Sequence, residues 1–264
     1  MGKAIVITSG KGGVGKTTST ANIGAALAQQ GHSVVLVDAD IGLRNLDVVM
    51  GLENRIVFHL IDVLKGKCSL QKAVIKDRRI DGLFLLPSSQ VDEKDAVNEE
   101  QMLHLVTQLK KSYDYVIIDC PAGIEQGFRN AIAGADEAVI VATPEISSIR
   151  DADRVAGLLA AADIPTRLIV NRISAAMVKR GDMLSKEDVI DILALDLLGA
   201  VPLDDAIIAS TNKGVPATLE GTSPAAMAYE VVARRLNGEV VDDVNSNVGF
   251  FARIGRAIGL SPAA

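Results

Sequence analysis

Eight consecutive residues near the start of the chain carry the densest chemistry in it. Gly10-Lys11-Gly12-Gly13-Val14-Gly15-Lys16-Thr17 has the spacing G-x-x-x-x-G-K-[ST]. Glycines at these positions let backbone N–H groups turn inward around phosphate oxygens. The pattern predicts that Lys16 reaches the β/γ-phosphates of a nucleoside triphosphate and that Thr17 sets its hydroxyl on Mg²⁺. A phosphate loop needs a strand before it and a helix N-terminus after it, whose partial positive charge favours the anion. The apolar run Ala4–Thr8 and the helical stretch Gly15–Gln30 supply both. The metal needs further oxygen, and Val116-Ile117-Ile118-Asp119 is an apolar run ending in a carboxylate. Asp119 leads into Cys120-Pro121-Ala122-Gly123, a loop placed to sense the γ-phosphate. Asp38 and Asp40 close another apolar run. Each is a candidate for orienting the attacking water or touching the metal, and each also suits a solvated loop.

These side chains need a scaffold, and the rest of the chain describes one. Apolar runs recur at Ala4–Thr8, Ser33–Asp38, Gly82–Pro87, Tyr113–Asp119, Glu137–Thr143, Thr166–Asn171 and Leu197–Pro202. Most lack polar alternation, as strands buried on both faces do. Helical stretches separate several of them: Glu99–Lys111, Ser147–Ala161, Lys186–Leu195 and, near the end, Ser223–Leu236. Strand and helix in alternation predict an α/β fold with a doubly wound, mostly parallel sheet and helices on both faces.

Composition limits what such a scaffold can serve. The chain has 264 residues, enough for a sizeable core, and a formal net charge of −6. An acidic chain with no basic stripe is a poor general binder of nucleic acid, and none is expected as a specific partner. Cys68 and Cys120 are too few and too far apart for a disulfide framework or a Cys-x-x-Cys pair. No apolar run approaches the roughly 18 residues of a membrane span, and the apolar start is too short for a signal peptide. These features predict a protein made and kept in the cytoplasm.

Lys11 is not needed to hold the phosphates of one nucleotide. Lys-Gly-Gly-Val-Gly-Lys-Thr-Thr at positions 11–18 resembles the phosphate loop of the deviant Walker A ATPases, and Asp38–Asp47, Asp119–Glu125 and Thr143–Arg154 are similar to that family's two switches and regulator-binding helix. The likeness runs nearly end to end, and is closest to the branch that places the division septum. It implies an ATP hydrolase using ATP and Mg²⁺. Lys11, Lys16, Asp40 and Asp119 would be catalytic, with Lys11 reaching across an ATP-sandwich homodimer. Lys11, Gly12, Gly13, Val14, Gly15, Lys16, Thr17 and Thr18 would hold the nucleotide, with Asn171 reading adenine and Pro202 lining the base pocket. Thr17, Asp40 and Asp119 would serve the metal. Arg150, Asp151 and Asp153 would bind partners, namely a division inhibitor of the MinC type and either a regulator of the MinE type or a pole-anchored topology factor. Nitrogenase iron protein shares the loop, but neither cysteine matches its cluster ligands. A partitioning ATPase that rides on DNA and a regulator of flagellar number are the other relatives to weigh.

The chain divides by composition into an ATPase domain (1–238), a polar linker (239–248) and a tail (249–264). On a helical wheel Phe250, Phe251, Ile254 and Ile258 fall within an arc of about 100°. Arg253 and Arg256 fall opposite, and Leu260 falls near the arginines, so the pattern is good but not clean. By pattern alone, a helix lying in a membrane surface and one docked on the protein's own core suit equally. The polar linker and the two positive charges in an acidic chain favour the membrane. The tail is therefore expected to hold the protein, reversibly and peripherally, on anionic lipid at the inner face of the cell membrane.

Overall fold

The computed structural model describes residues 1–93 and 96–241. Among them, strands β1 (Lys3–Thr8), β2 (Val34–Asp38), β3 (Ile75–Lys76), β4 (Leu83–Leu86), β5 (Tyr115–Asp119), β6 (Glu137–Ala142), β7 (Thr166–Ile173) and β8 (Asp196–Pro202) form one sheet in the order β3-β4-β2-β5-β1-β6-β7-β8. Every pairing is parallel except β3 with β4. All seven apolar runs become strands. The two-residue β3 was not legible, because no period can be read from Ile75-Lys76.

Burial explains the continuous apolar strands. Ala4, Val6, Val35 and Val37 pack into one face of the sheet, while Ile5, Ile7, Val34 and Leu36 pack into the other. Alternate side chains enter different cores, so neither face can carry polar residues. The Ile5 face is covered by α1 (Lys16–Gln29) and α12 (Pro224–Leu236), with α2 (Leu46–Val49), α10 (Asp205–Asn212) and α11 (Ala217–Glu220) around them. Tyr229 of α12 joins α1 through a buried 3.0 Å hydrogen bond between its hydroxyl and that of Ser19. The Val6 face carries α3 (Leu60–Leu64), α4 (Leu70–Ala73), α5 (Glu99–Leu109), α6 (Gln126–Ile132), α7 (Ile146–Ala161) and α9 (Lys186–Leu193). A short α8 (Ala175–Arg180) follows β7.

The long helices end where their sequences say. Asn98 and Gln101 form a reciprocal capping box at α5, with N···O distances of 2.9 and 3.0 Å. Ser223 caps α12 ahead of Pro224, a residue suited to the first helical position. The helices of eight residues or fewer, α9 apart, were not anticipated, since about two turns give too little periodicity to read.

The strand order reverses around β1: the chain leaves it for β2 on one side and later crosses from β5 to β6 on the other. Crevices at such a reversal, outside the C-terminal ends of the strands, are where open α/β sheets bind ligands. Thr8, Asp38, Asp119, Ala142, Asn171 and Pro202 lie at or near those ends. No helix among the described residues is long and apolar enough to cross a membrane. Phe250, Phe251, Arg253, Ile254, Arg256 and Ile258, with most of the linker, lie outside the described residues.

Candidate functional site

The phosphate loop connects β1 to α1 across the mouth of that crevice. Its backbone needs glycine at two turns, since Gly13 and Gly15 have φ of +78° and +101°. Gly12 and Gly13 are exposed, Lys11 is half-buried, and Val14 and Lys16 are buried. The loop therefore keeps its tip open to solvent while drawing the Lys16 ammonium down over the strand ends.

Asp119 waits there. It closes β5 at 2% exposure and lies beside Ile7 of β1 and Asp38 of β2 in register. Thr20 donates its hydroxyl to Asp119 Oδ1 at 3.3 Å, and the Thr17 hydroxyl bonds the same carboxylate. Thr20 was missed in the sequence, although Thr17 and Thr20 are three apart in a helix and must share a face. Burial pushes Asp119 up to about 6 despite the hydrogen bond from Thr17 and the charge of Lys16. Asp38 is pushed further, to about 8, by burial first and then by the Asp119 charge. Its two oxygens accept Asp40 N at 3.0 Å and Leu46 N at 3.2 Å, so Asp38 ties down the segment that carries Asp40. Asp40 itself is half-buried.

This arrangement fits Mg²⁺ and a triphosphate. Two adjacent buried carboxyls, Asp38 and Asp119, repel each other, the buried Lys16 acts on Asp119, and a hydroxyl bonded to Asp119 stands at the start of α1. Hard oxygen donors of this kind, few in number, suit Mg²⁺ that also takes phosphate oxygens and water. Cys120, beside Asp119, is 1% exposed and its thiol is pushed up to about 12, chiefly by burial. A buried thiol held protonated is inert and serves packing.

Lys11 does not point into the crevice. Its Nζ donates to Ser147 Oγ at 3.1 Å and lies 3.6 Å from the Glu145 carboxylate, both at the start of α7. The same helix backs the loop: a Cβ on Gly10 would sit 2.2 Å from the Asp151 carbonyl oxygen. Asp151 is half-buried by this contact, whereas Arg150 and Asp153 are exposed. The three residues thus share a helix but divide between supporting the loop and facing solvent.

Asn171, near the end of β7, is 5% exposed and donates through Nδ2 to the Val14 carbonyl at 2.7 Å. Its Oδ1 accepts the Arg172 N–H at 2.9 Å. Pro202 ends β8 and helps wall a groove of about 420 Å³ with Ile173, Pro224 and Ala228, and with Lys179, Lys186 and Glu187 among its charged lining. Asp204, just beyond, caps α10 and also accepts from Ala225 N at 3.0 Å, fixing this side of the crevice to α12.

A glycine loop feeding a helix at the reversal of a parallel sheet, with a strand-end Asp beneath it and a second lysine in the loop, defines a P-loop ATPase of the deviant Walker A class. The model of the AAA domain family matches residues 2–160. The septum site-determining protein MinD of Synechocystis is 58% identical over 241 residues, covering 90% of this chain and 91% of that protein. The MinC:MinD complex of Aquifex aeolicus superposes with a TM-score of 0.85 at 51% identity, over 91% of this chain and 97% of that one. MinD of Pyrococcus horikoshii, solved with Mg-ADP, gives a TM-score of 0.81 at 32% identity, over 89% and 96% of the two chains. The chain belongs to the MinD family of septum site-determining ATPases.

Proposed function

We propose that this chain is a nucleotide-gated switch of septum placement, which dimerises on ATP, recruits a division inhibitor of the MinC type and is reset by hydrolysis. Bound Mg²⁺ supplies charge that screens the γ-phosphate and the leaving oxygen. Lys16 holds the β/γ-phosphates, Thr17 and Asp119 hold the metal, and backbone N–H groups of residues 12–18 cradle the phosphates. Asp40 orients the attacking water and stands near the metal, and Asp38 keeps the Asp40 segment in place. Water attacks in line on the γ-phosphate, and Lys16 offsets the charge that develops on the leaving oxygen. Asn171 and Pro202 bound the base.

The observation that carries the reading is the position of Lys11. It sits at the open tip of the phosphate loop and bonds the start of α7, the helix bearing Arg150, Asp151 and Asp153. A phosphate-seeking lysine therefore lies against the helix proposed to meet partners, so nucleotide state and partner surface are neighbours. A membrane-bound state, with residues 249–264 on anionic lipid, completes the proposed cycle; a MinE-type regulator or a topology factor would act on the same helix. Sedimentation velocity tests the switch: a dimer with ATP in a hydrolysis-deficient Asp40→Ala chain and a monomer with ADP are expected. A monomer in both states would sink it.

A further inference from the structure

We infer that Asn171 is a positioning residue of the phosphate loop, holding the Val14–Gly15 peptide in the orientation that binds phosphate, whatever it also does for the base. The inference rests on the reading of this loop as the triphosphate site.

The two hydrogen bonds of Asn171 settle which way its amide faces. Only the NH₂ group can donate to the Val14 carbonyl, and only the oxygen can accept the Arg172 N–H. The latter bond is made with Arg172 in a left-handed conformation, φ +58°, uncommon for a residue with a Cβ. The irregularity in the β7 pairing between Asn171 and Ile173 therefore anchors the amide, and the amide anchors the loop. Donor and acceptor are 157 residues apart in sequence, so the contact ties the phosphate loop to the end of β7 and is not part of one local turn.

The consequence follows from peptide planarity. In a trans peptide C=O and N–H point in opposite directions. Drawing the Val14 oxygen towards Asn171 turns the Gly15 N–H away from it. Gly15 completes the fit, because a Cβ there would lie 2.3 Å from Asn171 Nδ2. The second glycine of the motif is thus needed for its φ of +101° and also for room beside this amide. Half the hydrogen-bonding capacity of Asn171 is committed before any nucleotide arrives: one of two N–H donors and one of two oxygen lone pairs.

A residue that only reads adenine and a residue that holds the loop differ towards a ligand with no base. Isothermal titration with Mg-ATP and with Mg-tripolyphosphate separates them, using the full chain and the variants Asn171→Ala and Asn171→Leu. Leu keeps the size and adds no charge but loses the donor to Val14, so it carries the test if the Ala chain does not fold. Affinity for both ligands is expected to fall by a similar factor of about ten, the scale of one lost buried hydrogen bond. Amide exchange over residues 10–17, without nucleotide, is expected to quicken in both variants. Loss of ATP affinity with tripolyphosphate affinity and loop exchange unchanged would overturn the inference. A wild-type chain that binds neither ligand would instead sink the reading of the phosphate site.

Discussion

Lys16 and Lys11 are five residues apart in one loop, yet their surroundings assign them different duties. Lys16 is buried over Asp119, and its charge already acts on that carboxyl. Lys16→Ala is expected to abolish measurable Mg-ATP binding by calorimetry, because no other compact positive charge in the loop reaches the phosphates. The Lys11 side chain is 43% exposed, and its contacts to Glu145 and Ser147 are at the surface. Exposed pairs of this kind contribute about 0–1 kcal/mol. Lys11 can therefore leave α7 at little cost, and in the proposed ATP dimer it would reach a partner's phosphate and gain a charge-assisted bond of about 1.5–3 kcal/mol. Lys11→Ala should weaken ATP-dependent dimerisation by about ten- to a hundredfold in sedimentation equilibrium, whereas Glu145→Gln should change it by less than about fivefold. Equal losses in the two variants would place the important contact within the monomer.

Away from the crevice, by the N-terminal end of β4, Arg79 joins three segments through one side chain. Its Nη1 donates to the Gly214 carbonyl at 2.7 Å, its Nη2 to the Met50 carbonyl, and its guanidinium pairs with Asp77 at 2.6 Å. The turn after α2 is thereby tied to the turn after α10, where Gly51 and Gly214 pack backbone to backbone. Burial would raise Asp77, which is 1% exposed, but the hydrogen bonds and charge of Arg79 outweigh it and leave the carboxyl below its ordinary range. Arg79→Ala strands this acceptor and should lower stability by about 2–3 kcal/mol at neutral pH. The sign with pH follows from linkage. A depressed carboxyl stabilises the fold above its unfolded value of about 3.9, and that contribution is lost as pH falls through the folded value. The gap between wild-type and Arg79→Ala urea midpoints should narrow from pH 7 towards pH 3. A gap independent of pH would show that the arginine acts only through the two carbonyls.

At the scale of the whole molecule, the proposed membrane-bound state asks how one marginal tail could make a switch. On lipid, each Phe or Ile of residues 249–264 that is buried would contribute at most about 1.5–3 kcal/mol, and each Arg roughly 1 kcal/mol if the lipid is anionic. Ordering some ten residues would cost about 1–2 kcal/mol each. One tail would then be close to balance, whereas two tails on the proposed dimer would gain about 10²–10⁴ in avidity. Vesicle sedimentation should therefore follow ATP and not ADP. Ile254→Glu should abolish it while leaving nucleotide affinity unchanged. ATP-dependent sedimentation after deletion of 249–264 would remove the tail from the account.

Much of this protein is written locally. The loop motif needs only eight adjacent residues, and each long strand shows its two-sided burial in its own run of Val, Ile and Leu. That is why Lys16, Thr17 and Asp119 stand out as candidates in the sequence, and why a mostly parallel sheet was legible there. Their chemistry and their element types depend on neighbours in sequence. What tertiary structure decided are contacts between distant segments. Asn171 reaches Val14, Lys11 lies on Ser147, Asp38 stands in register with Asp119, and Arg79 joins Met50 to Gly214. No periodicity encodes these, since each depends on strand order and on which turn packs beside which. Asn171 shows the difference: in sequence it is an Asn near the end of an apolar run, a common turn former, and only the adjacency of the β7 end to the phosphate loop turns its amide into a clamp.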